Sequence, residues 1–192
     1  MKAYIILGNT REKSNTKALA GVFADELSKK GAEVETVSLL GKSINTCVGC
    51  DKCHVVTDSF GCAVKDDMHL IATGILAADL VVLASPIYTW MPTPGLKAVM
   101  DRIYAFTKYP ETGEAFNMLK KQKFAMIATS GDKCETNCDL FNEAVKRMAD
   151  FAKLEYLGYV GACDFDGKNN DVTAEADKNA RKFANKCMEK MS

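Results

Sequence analysis

Apolar runs of strand length alternate along the chain with segments whose apolar residues recur every three or four positions. The first run, 3–7, is followed by Ala20, Phe23, Ala24 and Leu27 on one helical face that ends near Gly31. A second run covers 34–37. After a long polar stretch, Met68, Ile71, Ala72, Ile75 and Leu76 repeat the helical spacing. Residues 80–84 are wholly apolar, as a strand buried on both faces requires. Thr93 and Pro94 read as an N-cap and first helical residue, ahead of a stripe made by Leu96, Val99, Met100 and Ile103. Residues 104–119 carry no clear period. A fourth strand at 124–129, a helix marked by Phe141, Ala144, Val145 and Met148, and a fifth strand at 156–160 follow. A closing helix carries Ala176, Ala180, Phe183, Ala184, Cys187 and Met188.

Five strands and five helices in alternation predict an α/β fold, a flavodoxin-like three-layer sandwich around a five-stranded parallel sheet of order 2-1-3-4-5. No linker, repeat or low-complexity tract interrupts it, so residues 1–192 are expected to form one domain with a cysteine-rich loop at 40–65. In this topology a ligand sits at the carboxyl ends of the strands, where the chain reverses beside the first strand. The loops after the first, third and fourth strands therefore carry the functional expectation.

The first of them, residues 8–16 (GNTREKSNT), brings hydroxyl, amide and backbone N–H groups to a helix start. That composition suits a phosphate. It is neither a nucleotide P-loop nor a Gly-x-Gly-x-x-Gly turn, so a mononucleotide phosphate fits better than a dinucleotide; an ordinary N-cap by Ser14 or Asn15 is the alternative. The loop after the third strand, residues 85–92 (SPIYTWMP), places two aromatics and several apolar residues where water is expected. They would cover a flat heteroaromatic ring or a subunit interface. The loop after the fourth strand, Thr129-Ser130-Gly131-Asp132, is small and polar, and Gly131 would let the backbone approach a ligand.

Composition narrows the reading. Basic and acidic side chains balance at 25 each, so no net field favours nucleic acid or an anionic membrane. No apolar stretch is long enough for a bilayer, and the start lacks a signal peptide's apolar region; a cytoplasmic protein is expected. In a reducing cytosol eight cysteines are not a disulfide framework. Four of them, Cys47, Cys50, Cys53 and Cys62, fall within sixteen residues, a density that points to a metal or an iron–sulfur cluster.

The 8–16 loop, this cysteine run with Asp66-Asp67-Met68 behind it, Ala78-Asp79 leading to Ser85-Pro86-Ile87-Tyr88, and Lys97 with Asp101-Arg102 together resemble the iron–sulfur flavoproteins and their relatives among the NADPH-dependent FMN reductases. The resemblance implies FMN with its phosphate held by Thr10, Arg11, Ser14, Asn15 and Thr16. Pro86, Ile87, Tyr88, Thr89 and Trp90 would flank the ring, and Ser130 and Gly131 would complete the pocket. It further implies a 4Fe-4S cluster on Cys47, Cys50, Cys53 and Cys62, near the flavin of a neighbouring subunit in a homodimer or homotetramer. NAD(P)H would bind transiently over the flavin without a dinucleotide fingerprint, or a redox protein would act as donor, and a small molecule would accept the electrons.

The flavin carries such chemistry, so no catalytic side chain is required. Three readings stay open: an FMN oxidoreductase with the cluster, a cluster-free NAD(P)H-dependent FMN or quinone reductase, and a zinc-stabilised binding module. Free thiols in the loop also compete, and the eight residues between Cys53 and Cys62 make Cys62 the ligand that decides. His54 reads as solvated. Cys134 and Cys138, four apart at a helix start, read either as two unrelated residues or as a redox pair. Cys163 and Cys187 read as core, and Asp164 to Gly167 as a turn.

Overall fold

A computed structural model describes residues 1–163 and 172–191. Five long strands form one parallel sheet: β1 (Lys2–Leu7), β2 (Glu33–Ser38), β3 (Leu80–Pro86), β6 (Lys123–Thr129) and β7 (Tyr156–Ala162), in the order β2-β1-β3-β6-β7. Counting only these strands, that is the expected 2-1-3-4-5 order. The helices are α1 (Asn15–Lys29), α2 (Met68–Ala77), α3 (Pro94–Ile103), the single turn α4 (Cys134–Asn137), α5 (Asp139–Phe151) and α6 (Ala174–Met191). The aperiodic stretch resolves into a 3-10 turn (Tyr104–Phe106) and a small antiparallel hairpin, β4 (Thr107–Lys108) with β5 (Phe116–Asn117). The Asp164 to Gly167 turn lies outside the described residues.

The two-residue period of the strands sorts their side chains into two cores. Tyr4 and Ile6, Val81 and Leu83, and Phe124, Met126 and Ala128 face α2, α3 and α5. Ala3, Ile5 and Leu7, Leu80, Val82 and Ala84, and Ala125 and Ile127 face α1 and α6. Both faces of β3 are covered, which is why its sequence shows no polar alternation. Ser14 caps α1 by accepting from Lys17 N at 3.1 Å, and Gly31, at φ +86°, ends that helix in a left-handed turn.

Thr93 occupies the N-cap position of α3 but does not cap it; its hydroxyl donates to Gly8 O at 2.8 Å. Gly8 N in turn donates to Ala84 O at 2.7 Å, so the first residue past β1 is pinned to both β3 and the start of α3. A Cβ at Gly8 would stand 2.8 Å from Thr93 Oγ1 and 2.9 Å from Leu96 Cβ, which leaves room for glycine alone. Similar bonds, Ile87 N to Thr129 O and Ser130 N to Ala162 O, carry the sheet's register past its edge and hold three loops side by side.

Candidate functional site

At the carboxyl ends of β1, β3 and β6 those loops enclose a cavity of about 350 Å3. Thr10, Arg11, Ser14, Asn15 and Thr16 border it from the first loop, Pro86, Ile87 and Tyr88 from the second, and Thr129, Ser130 and Gly131 from the third. Its walls are cross-linked by hydroxyls. Thr16 Oγ1 lies 2.6 Å from Thr129 Oγ1 in a buried contact, and Thr10 Oγ1 lies 2.8 Å from Tyr88 OH. Asn9, buried beneath the loop, donates to Arg11 O and accepts from Ser38 Oγ, fixing the loop's curve. Asn15 Oδ1 is buried without a hydrogen-bond partner. An orphaned polar atom beside a polar cavity is costly unless a ligand or water completes it.

Beyond Tyr88 the second loop makes a two-residue reversal. Tyr88 N donates to Met91 O at 2.9 Å and Met91 N to Tyr88 O at 3.1 Å, with Thr89 at φ +49° and Trp90 at φ +62° between them. Left-handed backbone at two successive residues is ordinarily supplied by Asn-Gly. In a threonine and a tryptophan it stores strain, about 1–3 kcal/mol each. Tyr88 and Trp90 are left half exposed at the mouth of the site.

The cysteine loop folds over α3 and the small hairpin. Cys47, Cys50, Cys53 and Cys62 all border one small cavity together with Asp101, Arg102 and Tyr104. Cys47 and Cys50 are exposed, Cys53 is partly covered and Cys62 is buried. Among the described residues, no three Cys, His, Asp or Glu side chains gather as a single metal ion would require; the thiols ring the cavity instead of meeting at a point.

Two buried cations lie underneath. Arg102 donates to Val64 O at 3.0 Å, to Asn45 O at 3.2 Å and to Cys62 Sγ at 3.4 Å, pairs with Asp66 at 2.7 Å, and keeps Nε without a partner. Lys108, fully buried, donates to Cys53 O at 2.9 Å and Phe60 O at 3.2 Å, and among the described residues pairs with no carboxylate. Burial pushes the Lys108 ammonium below its ordinary pKa, and the neighbouring Cys53, Asp58 and Cys62 oppose that shift. Burial likewise raises the Cys53 thiol, and the nearby Cys62 adds to the rise.

The family profile for NADPH-dependent FMN reductases matches residues 1–141. The chain belongs to the NADPH-dependent FMN reductase family. It is 34% identical over 110 residues to an iron–sulfur flavoprotein of Archaeoglobus fulgidus, covering 57% of this chain and 49% of that one. It is 34% identical over 134 residues to an iron–sulfur flavoprotein of Methanocaldococcus jannaschii, covering 69% and 63% respectively. The chain thus matches only half to two thirds of the length of these curated relatives. Among solved structures, an NAD(P)H:quinone oxidoreductase from Methanothermobacter marburgensis superposes with a TM-score of 0.69 at 15% identity, over 96% of this chain and 97% of that one. A flavodoxin from Streptococcus pneumoniae superposes with a TM-score of 0.63 at 14% identity, over 99% of both chains. At such identities these structures show the fold, which is flavodoxin-like.

In this FMN reductase family member, ten of the twelve residues expected around a cofactor line the one cavity. Thr89 and Trp90 stand outside its wall, at the tip of the strained turn. Thr129 joins the wall through its bond to Thr16; its position at the end of a strand was the available signal. Ser14 caps α1, the alternative reading of this loop, and also borders the cavity. Gly131 has open space around its Cα and an ordinary φ, so neither crowding nor backbone conformation demands glycine there.

His54 departs from expectation: it is buried, not solvated, between the rings of Tyr104 at 4.6 Å and Tyr109 at 5.1 Å, with Nδ1 2.6 Å from Thr107 O. It pins the cysteine loop to the hairpin. Cys187 is core, as expected, whereas Cys163 is only partly buried and interacts with Cys134.

Proposed function

We propose that this chain is an FMN-dependent oxidoreductase that passes electrons from NAD(P)H or a redox protein to a small-molecule acceptor. The observation that carries this reading is the three-loop cavity, bordered by Asn15, whose buried Oδ1 has no hydrogen-bond partner. Hydroxyls, amides and the start of α1 suit a phosphate, and Pro86, Ile87 and Tyr88, with Trp90 beyond, suit a flat ring. The relatives, iron–sulfur flavoproteins by name, support the same cofactor. Bound FMN would supply hydride acceptance and one- or two-electron release.

The side chains do the rest. The α1 amides, Ser14, Asn15 and Thr16 anchor the phosphate, and the Thr16–Thr129 bond holds the cradle against the sheet. Thr10 and Tyr88 bind each other across the mouth and set the spacing between phosphate loop and ring loop. Tyr88, on the cavity wall, would shield the ring from water, with Trp90 beyond it at the tip of the turn.

Cys47, Cys50, Cys53 and Cys62 would hold a 4Fe-4S cluster, which takes four thiolates. The fit rests on charge. Four thiolates bring net negative charge; Arg102 on the cavity wall keeps an unsatisfied Nε, and Lys108, buried behind the loop on Cys53 O, pairs with no carboxylate among the described residues. The protein would work in the cytoplasm as a homodimer or homotetramer, its exposed Trp90, Tyr104 and Tyr109 within subunit contacts.

Flavin titration tests the reading. FMN fluorescence is expected to quench saturably at one flavin per chain. Ser14→Asp keeps a good N-cap but sets a carboxylate against the phosphate. It is expected to weaken FMN about tenfold or more, the effect of about 1.4 kcal/mol, while sparing riboflavin. Absence of saturable quenching in the unaltered chain removes the proposal. Anaerobic reconstitution is expected to yield about four irons per chain, lost in Cys62→Ala; a flavin-loaded protein without iron selects the cluster-free reductase.

A further inference from the structure

Away from the cysteine loop, a second group of thiols meets where β6 and β7 end. Cys134 opens the turn after β6 and Cys138 follows one helical turn later, its amide donating to Cys134 O at 2.9 Å. Their side chains are hydrogen-bonded, Cys163 at the end of β7 also engages Cys134, and Ser130 Oγ lies 3.5 Å from Cys134 Sγ. Gly161 makes the space: a Cβ there would stand 2.9 Å from Cys134 Sγ. Among the described residues no metal-binding group of three is formed, so the cluster is not read as an ion site.

Both thiols are buried, Cys134 with 9% of its surface exposed. Cys138 is fully buried. Cys134 borders two cavities at the surface, one of about 1210 Å3 against α6 and one of about 210 Å3 shared with Cys163. Residues four apart in a helical turn have Cα atoms about 6 Å apart, inside the range of about 4.4–6.8 Å that a disulfide spans; their Cβ atoms, about 5–6 Å apart, must close to about 4 Å, which requires the single turn of α4 to tighten.

We propose that Cys134 and Cys138 are a redox-active dithiol that exchanges with low-molecular-weight disulfides of the glutathione class. Cys134 is the attacking thiol in front and Cys138 the resolving thiol behind. The Cys134 thiolate attacks one sulfur of the small disulfide, forming a mixed disulfide and expelling one thiolate. Cys138 then loses its proton and attacks Cys134 Sγ, closing the protein disulfide and releasing the second small thiol. Two protein thiols are oxidised and one small disulfide is reduced to two thiols.

The hydrogen bond from Cys138 holds the Cys134 thiol below its ordinary pKa, with Ser130 and Cys163 adding to the effect, as an attacking thiol requires. Donating that bond raises Cys138, as suits a group that reacts second. Because Ser130 also borders the three-loop cavity, the dithiol adjoins the candidate flavin site, although the proposal needs no flavin.

The experiment incubates the fully reduced chain with oxidised glutathione, alkylates the remaining thiols and maps the peptides by mass spectrometry, so that the exposed Cys47 and Cys50 are scored separately. The unaltered chain is expected to show a Cys134–Cys138 cross-link, with loss of the two thiol hydrogens, reversed by dithiothreitol. Cys138→Ser is expected to stall at glutathione attached to Cys134, and Cys163→Ser to leave the cross-link intact. No Cys134–Cys138 cross-link in the unaltered chain, or a Cys134–Cys163 bridge in its place, overturns the proposal whatever the variants do. Failure of FMN to bind leaves this readout unchanged, so the two proposals fail separately.

Discussion

Arg102 Nη1 stands 2.7 Å from Asp66 Oδ2, with both side chains about 1% exposed, and the other arm of the guanidinium reaches Cys62 Sγ at 3.4 Å. One side chain of α3 thus holds both ends of the cysteine loop, through Asn45 O before the first cysteine and Val64 O after the last. A buried ion pair adds little net stability over an apolar replacement, but removing one member leaves an uncompensated charge. Here the pair's effect is positional, since it fixes Cys62 relative to the three cysteines upstream.

Arg102→Met is therefore expected to cost about 3–5 kcal/mol, read from the urea midpoint, because Asp66 is left buried and unpaired. The double variant Asp66→Asn/Arg102→Met is expected to recover part of that loss. Arg102→Lys keeps the charge but loses the planar fork, so Cys62 is expected to become more reactive to thiol reagents even where folding survives. An unchanged midpoint in Arg102→Met would show that the pair carries no structural role.

Acid has a defined effect on the same pair. Burial disfavours the charged Asp66, but the Arg102 guanidinium and the Asn45 and Met68 amides overcome it and hold the carboxyl at about 2. A carboxylate whose pKa is lower folded than unfolded stabilises the fold above its unfolded value, and that contribution disappears as pH falls through the folded one. Stability is therefore expected to drop between about pH 4 and pH 2. Other paired carboxylates, among them Asp79 and Glu26, share in the fall, so the informative quantity is the difference between the unaltered chain and Asp66→Asn. Urea midpoints across that range should show a shallower slope in the variant.

The sheet and its helices were legible because each obeys a local period: 80–84 is apolar throughout where β3 is covered on both faces, and Leu96, Val99 and Ile103 mark the buried stripe of α3. The three loops were legible from composition and from their place after β1, β3 and β6. What the sequence hid depends on distant partners. Thr93 has the identity and position of an N-cap, yet its hydroxyl binds Gly8, 85 residues earlier. His54 reads as solvated in a polar loop, and nothing in the sequence singles out Lys108, but the hairpin and the cysteine loop bury them against each other's carbonyls. Cys163 meets Cys134 only because β7 lies beside β6.

Gly74 gives a test of packing against propensity. It lies within α2, where alanine would ordinarily gain about 1 kcal/mol. A Cβ there would stand 2.3 Å from Cζ of Tyr4, a ring buried in the sheet's core. Overpacking of this kind costs about 1–3 kcal/mol and exceeds the propensity gain. Gly74→Ala is expected to lower the melting temperature, and Gly74→Ala with Tyr4→Leu to recover it. A stabilised single variant would mean that α2 can shift away from β1.

The reversal at Thr89 and Trp90 offers a test of whether strain is kept for ligand binding. Replacing the pair by Asn-Gly supplies residues that adopt its left-handed backbone readily and removes about 1–3 kcal/mol of strain per relieved position. Trp90 is half exposed, so little packing is lost, and Thr89→Asn/Trp90→Gly is expected to raise the melting temperature. If the turn presents Trp90 to a flavin ring, the same variant loses a stacking contact of about 0.5–1.5 kcal/mol, a two- to tenfold loss of affinity. That loss is expected for riboflavin and FMN alike, because it falls on the ring, whereas Ser14→Asp weakens FMN alone because it falls on the phosphate. Equal flavin affinity in a more stable Asn-Gly variant would place the ring away from Trp90 and leave Tyr88 as the aromatic wall.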